Sequence, residues 1–163
     1  MTPIGEFIYS RRVQYKDTDA SGIAHFTCFF VYAEEAEHAM WRAAGHSVEP
    51  RESTIGWPRV SASFDFFRPL RFEDEIEVRI RVIERTTKSF RYQSVIVSSG
   101  EVVAIGTSTS VCVRKVAGEP MRAIEIPAAV ADTFTVLPPV ERPRTSRVAG
   151  RDGGAVDECI GRV

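Results

Sequence analysis

Between Phe26 and Ala44 the apolar and small residues fall at Phe26, Phe29, Phe30, Ala33, Ala36, Met40, Ala43 and Ala44, mostly in steps of three and four. That spacing predicts one helix over 26–44 with a broad apolar face, closed by Gly45, which suits a left-handed C-cap. After Pro58 the period changes to two: Val60, Ala62, Phe64 and Phe66 alternate with Ser61, Ser63 and Asp65, and Ile76, Val78, Ile80 and Val82 alternate with charged residues. Two further runs, 89–98 and 102–114, are rich in Val, Ile, Thr and aromatics and are separated by a Ser-Gly-Glu turn. A weaker alternation over 7–15 adds a first strand. A single long helix followed by strands joined through short turns leaves one economical solution. The strands pair antiparallel, and the helix covers their inner face. The expected class is α+β, a curved antiparallel sheet wrapped around a long central helix.

At 163 residues the chain is about one domain, large enough to bury a core without disulfide or metal staples. Past Pro127 the pattern weakens through Pro138, Pro139 and Pro143, so a domain over 1–128 and a partly mobile extension over 129–163 are expected. The net charge of -1, without a basic stripe, argues against nucleic acid as a partner. No run approaches the length of a membrane span. Cys28, Cys112 and Cys159 are far apart and form no metal-spaced set, so no metal is expected and the pattern suits a reducing, cytoplasmic compartment.

The chemistry is expected at "DTDASGIAHF", residues 17–26, where two carboxylates and a loosened Ala-Ser-Gly loop lead directly into the helix. The first turn of a helix presents N–H groups without internal partners, which suits a developing oxyanion. Gly22 allows close backbone approach to a substrate. Asp17 faces the same way as Asp19 if the stretch is extended, and two close carboxylates would raise one pKa. His25 is a candidate proton carrier.

These residues, with "FFVYAEEAEHAM", "FDFFRPLRFEDEIEV", "TKSFRYQ" and "MRAIEIP", resemble a hotdog-fold acyl-CoA thioesterase of the 4-hydroxybenzoyl-CoA thioesterase family, over about residues 9–128. The resemblance implies Asp19 as base or nucleophile, the Phe26 backbone N–H as the group polarising the carbonyl, and His25 beside them. It implies a pocket lined by Gly22, Phe29, Glu34, Phe64 and Phe66, with Lys88, Ser89, Arg91 and Arg122 holding the nucleotide end of coenzyme A. Coenzyme A enters as part of the substrate, and no separate cofactor is implied. A homodimer or homotetramer with its site at the subunit interface completes the expectation. Hydrolysis of an acyl-carrier-protein thioester, or non-catalytic acyl binding on the same fold, are the alternatives.

Overall fold

The computed structural model describes residues 2–143. Strand β1 (Glu6–Arg12) is followed by a short 3-10 turn at Tyr15–Asp17, the loop, and helix α1 (Phe26–Ala43). Then come β2 (Ile55–Gly56), β3 (Arg59–Phe66), β4 (Glu75–Arg85), β5 (Ser89–Ser98), β6 (Glu101–Val111), β7 (Val113–Arg114), β8 (Arg122–Ala123) and a single helical turn α2 (Ala128–Ala131). The main sheet runs β1-β4-β5-β6-β3 with every neighbouring pair antiparallel, and β2-β7-β8 form a small second sheet. Tyr32, Ala36, Met40 and Trp41 of α1 pack with Ile76, Val78, Ile80 and Val82 of β4 and Phe90, Tyr92 and Ile96 of β5 in one core. This is the helix-in-sheet arrangement that the periodicities predict.

The buried face of α1 is turned from the expected one. Phe29, Tyr32, Ala36, Glu37, Met40 and Trp41 are buried, whereas Phe26 is 58% exposed. Tyr32 and Trp41 carry the largest apolar areas, so they take the core and Phe26 is left at the open end. The first strand also stops earlier than expected, at Arg12, because the chain turns at Tyr15–Asp17. In β3 the expected half-buried alternation is weak: Val60 is 60% exposed and Phe66 38% exposed. Among the described residues this strand is the sheet edge, paired with β6 alone, and a register shift between Arg59 and Ser61 breaks the alternation.

The packed chain continues beyond residue 128. Phe134 is buried against Trp41 and Phe90. The segment then crosses the outer face of the sheet: Leu137 N–H donates to Val82, and Val140 exchanges two hydrogen bonds with the Gln93 side chain. The remainder of the expected mobile extension, including Cys159, lies outside the described residues.

Gly106 of β6 lies directly opposite Phe64 of β3, and a Cβ added there would stand 2.5 Å from the Phe64 ring. The glycine thus lets the ring lie flat across the strand. Gly106→Ala is expected to swing Phe64 aside at a cost of about 1–2 kcal/mol, read as a lower midpoint in urea unfolding.

Candidate active site

The loop between β1 and α1 is held by Asp17. Its carboxylate accepts from Arg11 Nη2 at 2.9 Å, the Gln14 N–H at 3.0 Å and the Tyr32 hydroxyl at 3.0 Å. Its backbone carbonyl accepts from the His25 N–H at 2.8 Å, fixing the residue that starts the helix. Burial disfavours the Asp17 charge, but the Gln14 N–H, the Tyr32 hydroxyl and the Arg11 and Lys16 cations outweigh it and hold the carboxyl below its ordinary value. The expectation that the two acids face alike is therefore corrected. Asp17 points inward to a cation and is 4% exposed, whereas Asp19 stands half-buried on the loop. The raised acid expected from two crowded carboxylates does not arise at Asp17. Its shift is downward, because a guanidinium answers the charge.

Asp19 Oδ1 accepts from the Ser21 N–H at 2.7 Å, its own N–H donates to Ile23, and its carbonyl accepts from Gly22. Gly22 has φ 75°, the left-handed region that favours glycine, and this conformation closes the turn. Phe26 is the first residue of α1, so its N–H lies outside the helix's own ladder, at the positive end of the helix dipole. His25 is the N-cap: Nδ1 accepts from the Thr27 N–H and lies 2.7 Å from Thr27 Oγ1. Cys28 is half-buried, and burial followed by the nearby Asp17 pushes its thiol up, which opposes a thiolate.

One turn into the helix the aromatic wall begins. Phe29 meets Phe66 at 4.9 Å and Phe64 at 6.1 Å between ring centroids, and Phe30 meets Phe64 edge-on at 5.0 Å. Glu34 is exposed and lines the cavity beside Phe64. Asp19, Gly22, His25, Phe26, Phe29, Phe64 and Phe66 are thus gathered at the N-terminal end of α1.

Lys88, Ser89, Arg91 and Arg122 lie elsewhere. Lys88 leads into β5, whose Phe90 packs on Trp41 at the C-terminal end of α1. The Lys88 carbonyl accepts from Cys112, whose own carbonyl accepts from Ile124, so Lys88 and the strand carrying Arg122 share one end of the fold. Arg122 is paired across from Arg114. Arg91 sits 3.8 Å from Glu84 in an exposed pair that holds it only weakly. An 18-residue helix is about 27 Å long, and these cations stand at the other end of it from Asp19.

Two groups escaped the sequence reading. Glu37, which is absent from the apolar positions that predict the helix, is 3% exposed and pairs with Arg59 at 2.8 Å. Burial pushes its carboxyl up while Arg59 opposes the shift. Arg11 is the second: it bridges Asp17 and Glu35 and lies over the Tyr32 ring at 4.2 Å. Its signal was available, since the alternation of Phe7 and Tyr9 puts position 11 on the inward face of β1.

Residues 13–134 match the model of the thioesterase-like superfamily. The chain belongs to that superfamily. It is 28% identical over 115 residues to a 1,4-dihydroxy-2-naphthoyl-CoA hydrolase of Synechocystis sp., an overlap of 68% of this chain and 83% of the relative. Its fold is similar to that of a gentisyl-coenzyme A thioesterase, with TM-score 0.69 and 30% identity over 76% of this chain and 98% of the other. A 4-hydroxybenzoyl-CoA thioesterase crystallised with 4-hydroxybenzoyl-CoA has TM-score 0.72 at 20% identity, covering 81% of this chain and all of that one, 100%. The helix-in-sheet architecture of this thioesterase-like chain is the hotdog fold. Among the described residues no cluster of His, Cys, Asp or Glu could hold a metal, and no helix is long and apolar enough to cross a membrane.

Proposed function

We propose that this chain hydrolyses an aromatic acyl-CoA thioester to the free acid and coenzyme A. The observation that carries the reading is the loop of Asp19 running directly into the open N-terminal end of α1, whose first turn leads on to a wall of aromatic rings. The thioester carbonyl oxygen accepts from the Phe26 N–H, where the helix end favours negative charge. Asp19 then activates water for attack on the carbon, or attacks it directly to give an anhydride that water opens. Collapse of the tetrahedral intermediate breaks the C–S bond, and the coenzyme A thiolate leaves and takes up a proton. His25 borders the mouth as the cap of the helix. The names of the similar proteins, hydrolases of dihydroxynaphthoyl-, gentisyl- and 4-hydroxybenzoyl-CoA, support an aromatic acyl group.

Lys88, Ser89, Arg91 and Arg122 are assigned to the phosphates of coenzyme A. Arg114 and Arg122 directly opposite each other repel, and a bound anion relieves that repulsion. We assign the assembly as a homodimer, paired again into a homotetramer, in which the cations of one subunit serve Asp19 of the other. Support comes from the edge of β3, which among the described residues pairs with β6 alone, and from the exposed apolar residues Phe26, Val31 and Val60. The reading places the enzyme in the cytoplasm, where coenzyme A esters are made and used.

A thiol-release assay over benzoyl-, hydroxybenzoyl-, phenylacetyl- and graded fatty acyl-CoAs tests the proposal. An aromatic ester is expected to be cleaved with kcat/KM above about 10⁴ M⁻¹s⁻¹. Absence of turnover across the panel would leave acyl binding without hydrolysis as the better account, and turnover confined to acyl-carrier-protein esters would change the carrier.

A further inference from the structure

The inner face of the sheet is floored by small side chains where β5, β6 and β3 meet: Ser94 lies across from Gly106, and Ala62 across from Ser108. Helix α1 roofs this floor with Phe30, Ala33 and Glu34, Phe64 adds to the lining, and the half-open cavity between them measures about 150 Å³. That volume takes one benzene ring. The cavity starts one helical turn past Phe26 and extends along α1 away from the loop of Asp19. A ring attached to a thioester held at the helix mouth would therefore point its far edge down the cavity.

Arg59 stands on that far side. Its Nη1 lies 2.8 Å from the Glu37 carboxylate and donates to Ser108 Oγ at 2.7 Å. Both contacts use the same nitrogen, which leaves the Nη2 and Nε donors of the fork to serve a ligand. The Glu37 side chain is 4% exposed and that of Arg59 28%, so the carboxylate is sealed beneath a guanidinium that still reaches the cavity. A charged fork in a ring-sized space lined by Phe30, Ala33, Ala62 and Phe64, with Glu34, Ser94, Thr107 and Ser108 beside them, is the arrangement by which pockets orient a ligand through a few placed polar groups.

We propose that Arg59 is a specificity-determining residue: its guanidinium donates to a hydroxyl or phenolate oxygen on the edge of the aromatic acyl group remote from the thioester, with Glu37 as the positioning residue. The proposal rests on the thioesterase reading above and deepens it, from an aromatic acyl group to a hydroxylated one. A bare ring would leave the guanidinium desolvated without an acceptor, and sites built to hydrogen-bond a hydroxyl discriminate against analogues that lack it.

The test compares benzoyl-CoA with 3- and 4-hydroxybenzoyl-CoA in wild type and in the double variant Arg59→Met/Glu37→Met. Both charges are removed together because Arg59→Met alone would strand a buried carboxylate and compromise folding. Wild type is expected to favour one hydroxylated ester over benzoyl-CoA by at least about tenfold in kcat/KM. The double variant is expected to retain benzoyl-CoA turnover within about threefold and to lose the preference. A pair with a structural role only would change all three esters alike, so an unchanged preference overturns the proposal. If wild type cleaves no ester of this set or of the wider panel above, the hydrolase reading fails by itself. Calorimetric binding of hydroxybenzoates against benzoate then decides Arg59. Selective loss of hydroxybenzoate affinity in the double variant supports the assignment, and equal loss for both acids overturns it.

Discussion

Asp19→Asn is expected to lower kcat for thioester hydrolysis by about a thousandfold, within the range that positioned proton transfer contributes. The fold should survive the change. Asp19 Oδ1 takes only the Ser21 N–H within the loop, and an asparagine oxygen accepts the same bond. The turn around it is closed by backbone bonds among Asp19, Gly22 and Ile23, which the side chain does not touch. What the amide cannot do is accept a proton from water or attack a carbonyl. The helix end at Phe26 remains in place, so residual turnover above the uncatalysed rate and an unchanged KM are expected. Steady-state kinetics with a thermal unfolding curve on the same sample check this. An unaltered kcat in a normally folded variant would move the chemistry away from Asp19.

The parts of the fold that the sequence discloses are those governed by a single period. The steps of three and four from Phe29 to Met40 and the alternations in β4 and β5 are each local, and each survives in the folded chain. Charged residues on inward faces were harder to see, because their burial depends on a partner distant in sequence. Glu37 lies four residues after Ala33 and three before Met40, on the apolar side by spacing, yet a carboxylate without a visible partner reads as solvated. Its partner Arg59 was hidden by the register shift in β3. Counting by twos from Phe64 puts position 59 outward, and the irregularity between Arg59 and Ser61 turns it inward. No local signal marks that shift. The location of the loop at the helix mouth was legible, because Gly22 and the start of the helical period are adjacent features of one short stretch. Only the family resemblance, which implies Asp19 for the chemistry, separates the two acids; spacing alone does not, since the structural part of Asp17 depends on Arg11 and Tyr32 converging on it from another strand and from the helix.

Asp17→Ala is expected to destabilise the fold by about 3 kcal/mol, at the lower end of the range for breaking a buried ion pair. The lower end applies because Arg11 keeps Glu35 as a second partner at 2.6 Å. The Tyr32 hydroxyl and the Gln14 N–H, however, lose their acceptor together. For a chain of this size the loss corresponds to a melting temperature lower by about 6–12 °C. The pH dependence separates charge from shape. The folded carboxyl is held below its ordinary value of 3.8, so its stabilisation is complete above that value and fades as pH falls through the lower folded pKa. The gap in melting temperature between wild type and Asp17→Asn, which keeps the side-chain size and loses only the charge, should therefore be constant near neutrality and close below about pH 4. A gap that stayed constant into acid would mean that the Arg11 pairing contributes nothing net and that packing alone holds the loop. Activity should respond as well, since the Asp17 carbonyl fixes the His25 N–H at 2.8 Å and with it the start of the helix. A loosened Asp17 therefore lowers kcat without touching the substrate, and cooling the variant well below its melting point should restore part of that loss.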